Sequence, residues 1–211
     1  MAVRVPGHPV ALALLKAFGG GLAAPSANRF GRVSPTLAAH VVADLGDDVD
    51  LVLDGGPSSI GVESTIVDLS GAEPALLRPG GVPREAVETV LGRPLLSRLA
   101  GDVRAPGMLP SHYAPRAGLV LATRSEAPRL AADLQETGRR VALCSPDARA
   151  PRGVVHLSAP ESVPELARSL YGLLRSVDAA GVDVAVMVVP DESGLGMAVL
   201  DRLRRAAAPR E

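Results

Sequence analysis

A loop near the start of the chain, Ala24 to Thr36, has the composition of a phosphate-binding loop. Hydroxyl groups lie at Ser26 and Ser34, among small residues that let a ligand approach the backbone closely. If a helix follows, its free N–H groups add a favourable site for an anion. Ordinary turn and cap chemistry, with Ser34 satisfying those N–H groups, explains the same pattern. The residues alone leave both interpretations open.

Two further motifs have the chemistry to bind an amino acid or an anion. Glu63 is followed by Ser64 and Thr65, whose hydroxyls enter a stretch rich in β-branched residues. Arg78 follows another apolar stretch, where α/β folds tend to place ligands, and its guanidinium can bind a phosphate or carboxylate with two hydrogen bonds. An ordinary strand threonine and a surface arginine are the competing interpretations.

A histidine–tyrosine pair stands out in a proline-rich stretch. His112 and Tyr113 lie between Pro110 and Pro115. Tyr113 would contact an adenine or a phosphate if this stretch folds back over the preceding region. A linker held to the surface by one aromatic side chain is the alternative.

Three arginines lie near the end of the chain: Arg202, Arg204 and Arg205. Their charges suit the C-terminal dipole of a helix, and an RNA contact is the alternative interpretation.

Helices and short strands must position these residues in the first region. Hydrophobic periodicity and turn signals predict three helices: Pro9–Phe18, one that starts at Ser34 and ends at Gly46, and Pro83–Leu91. Short apolar or β-branched runs predict four strands: Leu22–Ala24, Leu51–Leu53, Ser64–Leu69 and Ala75–Leu77. Residues 93–116 lack periodicity and are rich in proline and glycine, which is typical of a linker.

The second region alternates strands and helices regularly. The predicted strands are Gly118–Thr123, Val141–Cys144, Val154–Leu157 and Val184–Val189, and the helices are Ala127–Glu136, Pro164–Val177 and Leu195–Ala207. This order predicts a small, mainly parallel sheet covered by helices. The chain is therefore divided into residues 1–92, a linker at 93–116 and a domain at 117–211.

Composition excludes several classes of function. Lys plus Arg number 22 against 23 Asp plus Glu, so the chain is not a basic protein that coats nucleic acid. One cysteine, Cys144, rules out an internal disulfide and a cysteine zinc cluster. No apolar run has the length of a membrane span, and the first residues do not have the pattern of a signal peptide. A cytoplasmic location is the expectation.

The order of the motifs resembles the two-domain threonylcarbamoyl-AMP synthases. Residues 3–9 (VRVPGHP), 24–28 (APSAN), 34–36 (SPT), 63–68 (ESTIVD) and 78–80 (RPG) are similar to the second half of a YrdC-like domain. Residues 106–108 (PGM) and 112–115 (HYAP) resemble the family's linker, and residues 194–197 (GLGM) and 201–206 (DRLRRA) the end of its Rossmann-like domain. The implied fold is α/β: a partial YrdC-like twisted α/β domain, a linker, and a small Rossmann-like domain.

The resemblance implies an L-threonine site at Arg4, Ala24 and Ser64, and an ATP site at Ser26, Ser34, Arg78 and Tyr113. L-threonine, bicarbonate and ATP are the implied substrates, with Mg²⁺ bound mostly through the ATP phosphates. Downstream proteins that transfer the threonylcarbamoyl group to tRNA are the implied partners, and direct tRNA binding is left open. No catalytic residue is assigned.

One departure from the family pattern affects these expectations. The family's basic cluster that faces the triphosphate belongs to the N-terminal part of the YrdC-like domain, which this sequence is expected to lack, and Lys16 does not match it. Whether the chain is active alone is left open. Two other interpretations are therefore kept: a non-catalytic module that binds adenine nucleotide or RNA, and an inert remnant of such an enzyme. A carbamoyl-transfer domain of the hydrogenase-maturation type shares the first motifs, but residues 112–115 and the second domain count against it.

Overall fold

The computed structural model describes residues 2–97, 112–147 and 149–209. Contacts between Cα atoms divide the chain into two compact units. The first unit comprises residues 1–29 and 34–57, and the second comprises residues 30–33 and 58–211. The domain boundaries derived from the sequence, at residues 92 and 116, stay a prediction.

The first unit is built around two helices. Helix α1 spans Pro9–Phe18, as predicted, with a proline in its first turn and left-handed Gly19 at its end. Helix α2 spans Ala38–Leu45 and begins later than expected. The prediction that Ser34 caps it is wrong, because the backbone of Leu37 is extended and the Thr36 N–H donates to Nδ1 of His40 at 3.2 Å. The helix therefore begins after Leu37, and no side chain caps it.

Two strands predicted in the first unit are not formed. Leu22–Ala24 and Leu51–Leu53 have no strand structure, and no strand occurs among the described residues of this unit. Leu22, Leu51 and Leu53 are exposed. A strand requires backbone hydrogen bonds to a neighbouring strand, which an apolar run cannot supply by itself.

The second unit begins with a small three-stranded sheet. Its strands are β1 (Ile66–Asp68), β2 (Ala75–Arg78) and β3 (Leu96–Ser97), in the order β1-β2-β3. β1 pairs with β2 antiparallel, and β2 pairs with β3 parallel. Helix α3, Arg84–Leu91, connects β2 to β3. β1 is shorter than predicted, and β3 falls in the segment expected to be a linker. Every residue of β2 is buried, so this strand anchors the sheet.

A four-stranded parallel sheet forms the larger part of the second unit. Its strands are β4 (Gly118–Ala122), β5 (Val141–Ser145), β6 (Val155–Ser158) and β7 (Val184–Val188), in the order β4-β7-β5-β6. All its strand pairs are parallel, as predicted. The helices are α4 (Ala127–Glu136), α5 (Val163–Ala179) and α6 (Leu195–Ala207). The bounds of α4 and α6 match the prediction.

Helices cover both faces of this sheet. Ala127 and Ala131 of α4 pack with Val141 and Leu143 on one face. On the other face, α5 and α6 bury residues such as Leu170 and Leu203, and burying one such side chain contributes about 1.5–3 kcal/mol. The sheet is therefore the middle layer of three, as expected for a mainly parallel α/β domain. Among the described residues, no helix combines the length and apolar character that a membrane crossing requires.

Candidate functional site

The segment Ser58–Thr65, called here the docking segment, is held against helix α5. Gly61 has φ of +85°, and a Cβ added there would lie 2.2 Å from the Ala167 carbonyl oxygen of α5. The Arg168 Nε donates to the Ser59 carbonyl oxygen at 3.0 Å, and Val62 is buried in the core beside α5. Only glycine fits this approach, so the sequence places the segment directly on the helix.

The other end of the docking segment is fixed by the turn after β2. The Gly81 N–H donates to the Glu63 carbonyl oxygen at 2.9 Å. Arg78 donates to the Ser64 carbonyl oxygen through Nε at 3.1 Å and Nη2 at 2.8 Å. The Thr65 hydroxyl donates to the Val82 carbonyl oxygen at 2.5 Å. The backbone on both sides of the Ser64 side chain is therefore bonded. Among the described residues, no hydrogen bond involves the Ser64 hydroxyl itself.

The carboxylate of Glu63 contacts helices α5 and α6. Each of its oxygens lies 2.8 Å from the Tyr171 hydroxyl of α5, and Oε2 also accepts from Arg202 Nε of α6 at 2.8 Å. Burial opposes ionisation of this carboxyl group. The charge of Arg202 and the hydrogen bonds from Arg202 and Tyr171 outweigh that effect, and they lower the pKa of Glu63. Glu63 is thus held as a carboxylate.

Arg202 is fully buried and contacts several of these groups. Its side chain is 0% exposed, and Nη1 lies 2.7 Å from Asp201 Oδ2. Its guanidinium carbon lies 5.6 Å from the centre of the Tyr113 ring, within the range of a cation–π contact. Burial alone would lower the pKa of Arg202, but the Glu63 charge reverses the direction and raises it. The guanidinium therefore remains charged within the protein.

Tyr113 lies in the same cluster, in an unusual backbone conformation. Its φ is +63°, and it is the one described non-glycine residue with positive φ. The ring is 2% exposed and lies 4.1 Å from the His112 ring and 5.4 Å from the Tyr171 ring, centre to centre. Burial, followed by the Glu63 charge, raises the pKa of both tyrosines. Both phenols are therefore neutral at physiological pH.

Two family models together match nearly the whole chain. The model described as "Threonylcarbamoyl-AMP synthase, C-terminal domain" matches residues 82–208. A second, described as "Telomere recombination", matches residues 1–80. The chain belongs to the threonylcarbamoyl-AMP synthase family. The YrdC-like and Rossmann-like α/β fold class expected from the motifs is thereby confirmed.

Individual family members give the same result. The chain is 38% identical to the threonylcarbamoyl-AMP synthase of Pyrococcus abyssi and to that of Bacillus subtilis, and it covers 64% of each. All of this chain is matched in both cases, so it spans somewhat less than two thirds of these relatives.

Solved structures agree with this assignment. A crystal structure of P. abyssi Sua5 complexed with L-threonine matches 97% of the chain and 63% of that protein, with a TM-score of 0.89 and 38% identity. A variant of P. abyssi Sua5, in which adjacent histidine and tyrosine are replaced by alanine, matches with a TM-score of 0.87.

The structure brings together three of the seven residues that the family resemblance assigns to substrates. Ser64 and Arg78 are hydrogen-bonded, and Tyr113 reaches the docking segment through Arg202 and Glu63. The other four lie in the first unit: Arg4, Ala24 and Ser26 are exposed, and Ser34 is buried. Of the family's linker motifs, residues 112–115 are described. Residues 106–108 lie outside the described part of the chain.

Sequence reasoning missed the residues that connect this cluster. The expectation that Arg202 serves the helix dipole is wrong, because its charge is paired with Glu63 and Asp201 in the interior. Arg204 pairs with Glu192, and Arg205 with Asp201. A signal was present: Arg202 lies between the buried positions Val199 and Ala206 on one face of α6. An arginine on the buried face of a helix indicates a buried partner.

Proposed function

We propose that this chain acts in L-threonylcarbamoyladenylate synthesis, using L-threonine, bicarbonate and ATP. The observation that carries the proposal is the match of 97% of the chain, at 38% identity and a TM-score of 0.89, to a Sua5 structure complexed with L-threonine. Similarity at that level extends over both the docking segment and the helices that hold it. The proposal concerns a chain that spans 64% of its relatives' length.

The proposed reaction has two steps. The threonine amino group attacks bicarbonate and forms a carbamate with loss of water. A carbamate oxygen then attacks the α-phosphorus of ATP, and the bond to the β-phosphate oxygen breaks, so that threonylcarbamoyl-AMP forms and pyrophosphate leaves. Neither step requires a covalent enzyme intermediate. The protein's task is to align the reactants and stabilise negative charge, for which hydroxyls and guanidinium groups are suited.

Ser64 is the threonine-binding residue that the local geometry supports best. Its hydroxyl is half-buried and makes no hydrogen bond within the described residues, while its carbonyl group is fixed by Arg78. A serine with a fixed backbone and an available hydroxyl can accept from the ammonium or donate to the carboxylate of an amino acid. Arg4 and Ala24 are assigned to L-threonine on family resemblance alone.

Arg78 and Tyr113 are proposed to act on ATP. Arg78 is buried, and burial followed by the neighbouring charge of Arg202 lowers its pKa, but it stays a cation at physiological pH. Its charge would favour the developing negative charge on phosphate. His112–Tyr113 is this chain's single His-Tyr pair, and an adjacent histidine and tyrosine are the residues replaced in the P. abyssi variant. Ser26 and Ser34 are assigned to ATP on resemblance alone.

Mg²⁺ is proposed to bind with ATP, as the family resemblance implies. Within residues 2–97, 112–147 and 149–209, no group of three or more His, Cys, Asp or Glu side chains is arranged to hold a metal ion. Mg²⁺ bound with ATP would be held mainly by phosphate oxygens and water. Proteins that transfer the threonylcarbamoyl group to tRNA are the proposed downstream partners.

Product formation tests this function. The purified chain is incubated with ATP, magnesium, bicarbonate and L-threonine, and threonylcarbamoyl-AMP is identified by chromatography and mass. The same chain preceded by its upstream coding sequence, where the reading frame provides one, is assayed beside it. Omission of L-threonine should abolish the product. Threonylcarbamoyl-AMP from either protein supports the proposal.

Failure of both proteins to make threonylcarbamoyl-AMP would reject the proposed function. If adenylate still bound to the chain in that case, a non-catalytic nucleotide-binding module would be the better description. Both a synthase and a non-catalytic module would bind adenine nucleotide, but only the synthase would form product. Turnover therefore distinguishes them.

A further inference from the structure

The buried side chain of Arg202 contacts both the docking segment and Tyr113. Arg202 donates from Nε to Glu63, the neighbour of Ser64, and its guanidinium carbon lies 5.6 Å from the Tyr113 ring centre. We propose that Arg202 is a positioning residue that sets the Ser64 hydroxyl for L-threonine and the Tyr113 side chain for ATP at the same time. This rests on the proposed function for the roles of Ser64 and Tyr113.

On the threonine side, the contact acts through adjacent backbone atoms. Glu63 and Ser64 are consecutive residues, and both of their carbonyl groups accept hydrogen bonds from the β2 turn region. The Glu63 side chain adds a further connection from this stretch to α5 and α6, through Tyr171 and Arg202. Since Arg78 holds the Ser64 backbone, loss of Arg202 would act on the direction of the Ser64 side chain, by removing the bond between its neighbour Glu63 and α6.

On the ATP side, the contact stabilises a conformation that needs support. Tyr113 has φ of +63°, which a residue with a side chain keeps only when its surroundings hold it there. Arg202 and Tyr171 both contact its ring. Helix α6 also receives a backbone hydrogen bond at this place, from the His112 N–H to the Arg205 carbonyl oxygen at 3.2 Å. Tyr113 is thus fixed to the helix that carries Arg202.

Stability alone does not explain an arginine at this position. A buried ion pair is often no more stabilising than apolar side chains of the same size, because both charges lose their hydration. Arg202 is 0% exposed, and its Nη2 has no hydrogen-bond partner among the described residues. Met at position 202 together with an uncharged side chain at position 63 would fill the space without leaving a buried donor or an unpaired charge. The geometry that the charge imposes on Glu63 and Tyr113 is what an apolar residue cannot supply.

The experiment compares three variants with the parent chain. Arg202→Met removes the charge, and the double variant Glu63→Gln with Arg202→Met removes both charges while leaving an acceptor for Tyr171. Arg204→Met is the matched control, because Arg204 lies on the same helix in an exposed pair with Glu192. Urea unfolding reports stability, and titration calorimetry reports L-threonine binding.

Tyrosine absorbance and fluorescence give a third measurement, which does not depend on any ligand. The chain has two tyrosines and no tryptophan, and both tyrosines belong to this cluster. Their ionisation and emission therefore report the surroundings of Tyr113 and Tyr171 without interference.

The expected result separates positioning from folding. Arg202→Met should alter the tyrosine signals and weaken L-threonine binding by about threefold to tenfold, because misplacing the Ser64 hydroxyl loses at most its one neutral hydrogen bond. The double variant should recover the urea midpoint but not the L-threonine affinity. Arg204→Met should match the parent in every measurement.

Two results would overturn the proposal. The first is a double variant that recovers both stability and L-threonine affinity, since Arg202 would then have a structural role alone. The second is an unchanged tyrosine signal in folded Arg202→Met, since the side chain would then not position Tyr113. If the parent itself binds no L-threonine, the threonine role of Arg202 fails for this chain; product formation decides the proposed function separately, and the tyrosine signal decides whether Arg202 holds Tyr113.

Discussion

Arg78, Arg202 and Glu63 carry the charges around Tyr113 in the second unit. Arg78 and Arg202 are both buried, and Glu63 is the carboxylate whose charge raises the pKa of Arg202. Like charges at short range disfavour one another, which is why the charge of Arg202, after burial, lowers the pKa of Arg78. Glu63 is therefore the residue on which the electrostatic balance of the cluster depends.

Acid should weaken the second unit through Glu63. The pKa of Glu63 lies below its ordinary value of 4.5 in the folded chain, so its stabilising contribution is present above about pH 4.5 and is lost as the pH falls through the folded pKa. The groups that face this carboxylate are Arg202, Arg78, His112, Tyr113 and Tyr171. Urea midpoints measured from pH 7 to pH 3 should fall more steeply for the parent than for Glu63→Gln.

At neutral pH, Glu63→Gln should cost about 1.5–3 kcal/mol, the range for a hydrogen bond to a charged group. Glu192→Gln is its control, because Glu192 pairs with Arg204 at the surface, where ion pairs contribute about 0–1 kcal/mol. Equal pH profiles for the parent and Glu63→Gln would contradict the role given to this carboxylate.

Some residues of the cluster could be found from the sequence, and others could not. Ser64, Arg78 and Tyr113 stand next to local signals, such as a strand end or flanking prolines, that mark them as candidates. Tyr171 does not, because its only unusual property is its hydrogen bond to Glu63, which is 108 residues away in the sequence. A contact of that range depends on the tertiary fold, and a single sequence does not encode it locally.

The docking segment owes its position to helix α5. Gly61 allows the segment's backbone to touch the helix backbone, and the exposed side chain of Arg168 reaches back to Ser59. Val62 then enters the core that α5 and α6 form with the sheet. The element that carries Ser64 is consequently an extension of the Rossmann-like core.

A methyl group at Gly61 should separate the segment from the helix. Gly61→Ala places a Cβ 2.2 Å from the Ala167 carbonyl oxygen and forces a residue with a side chain to keep φ at +85°. We expect a loss of about 1–3 kcal/mol from backbone strain, with a further loss from displaced packing, measured by urea unfolding. Binding of L-threonine should weaken in parallel.

The control for Gly61→Ala lies in the same helix. A Cβ at Gly172 meets nothing within 4 Å, so Gly172→Ala should stabilise α5 by about 0.5–1 kcal/mol. If both alanine variants had the same stability, the close approach at Gly61 would not be what holds the segment.

Helices were predicted more reliably than short strands, for a physical reason. The apolar stripe of α6 and the bounds of α4 follow from hydrogen bonds within the helix, which local sequence determines. β3 has two residues and exists through its parallel pairing with Ala75 and Leu76, so nothing in its own sequence predicts it. The two strands predicted in the first unit do not form, because their short apolar runs have no neighbouring strand with which to pair.

At the scale of the whole molecule, Cys144 reports on the integrity of the parallel sheet. It is the chain's single cysteine, lies in β5 between the neighbours β6 and β7, and is fully buried. Burial raises the pKa of its thiol to about 12. A buried thiol of such high pKa reacts with alkylating reagents only when the structure opens.

Alkylation of Cys144 should therefore follow unfolding of the second unit. At neutral pH the native chain should resist iodoacetamide, and the labelling rate in increasing urea should track the unfolding transition seen by circular dichroism. Gly61→Ala should accelerate labelling, whereas Gly172→Ala should slow it. Rapid labelling of the native parent would contradict the buried position of this strand.

The central claim is that a family member of this length carries an L-threonine site at Ser64. The most direct test is calorimetric titration of the chain with L-threonine, with Ser64→Ala and Ser70→Ala compared to the parent. Ser70 is exposed, and its hydroxyl is bonded to Asp68, so it controls for loss of a nearby serine. We predict measurable binding by the parent and by Ser70→Ala, and affinity weakened about threefold to tenfold in Ser64→Ala, the loss for one neutral hydrogen bond. Equal affinity in all three proteins, or no binding by the parent, would contradict the claim.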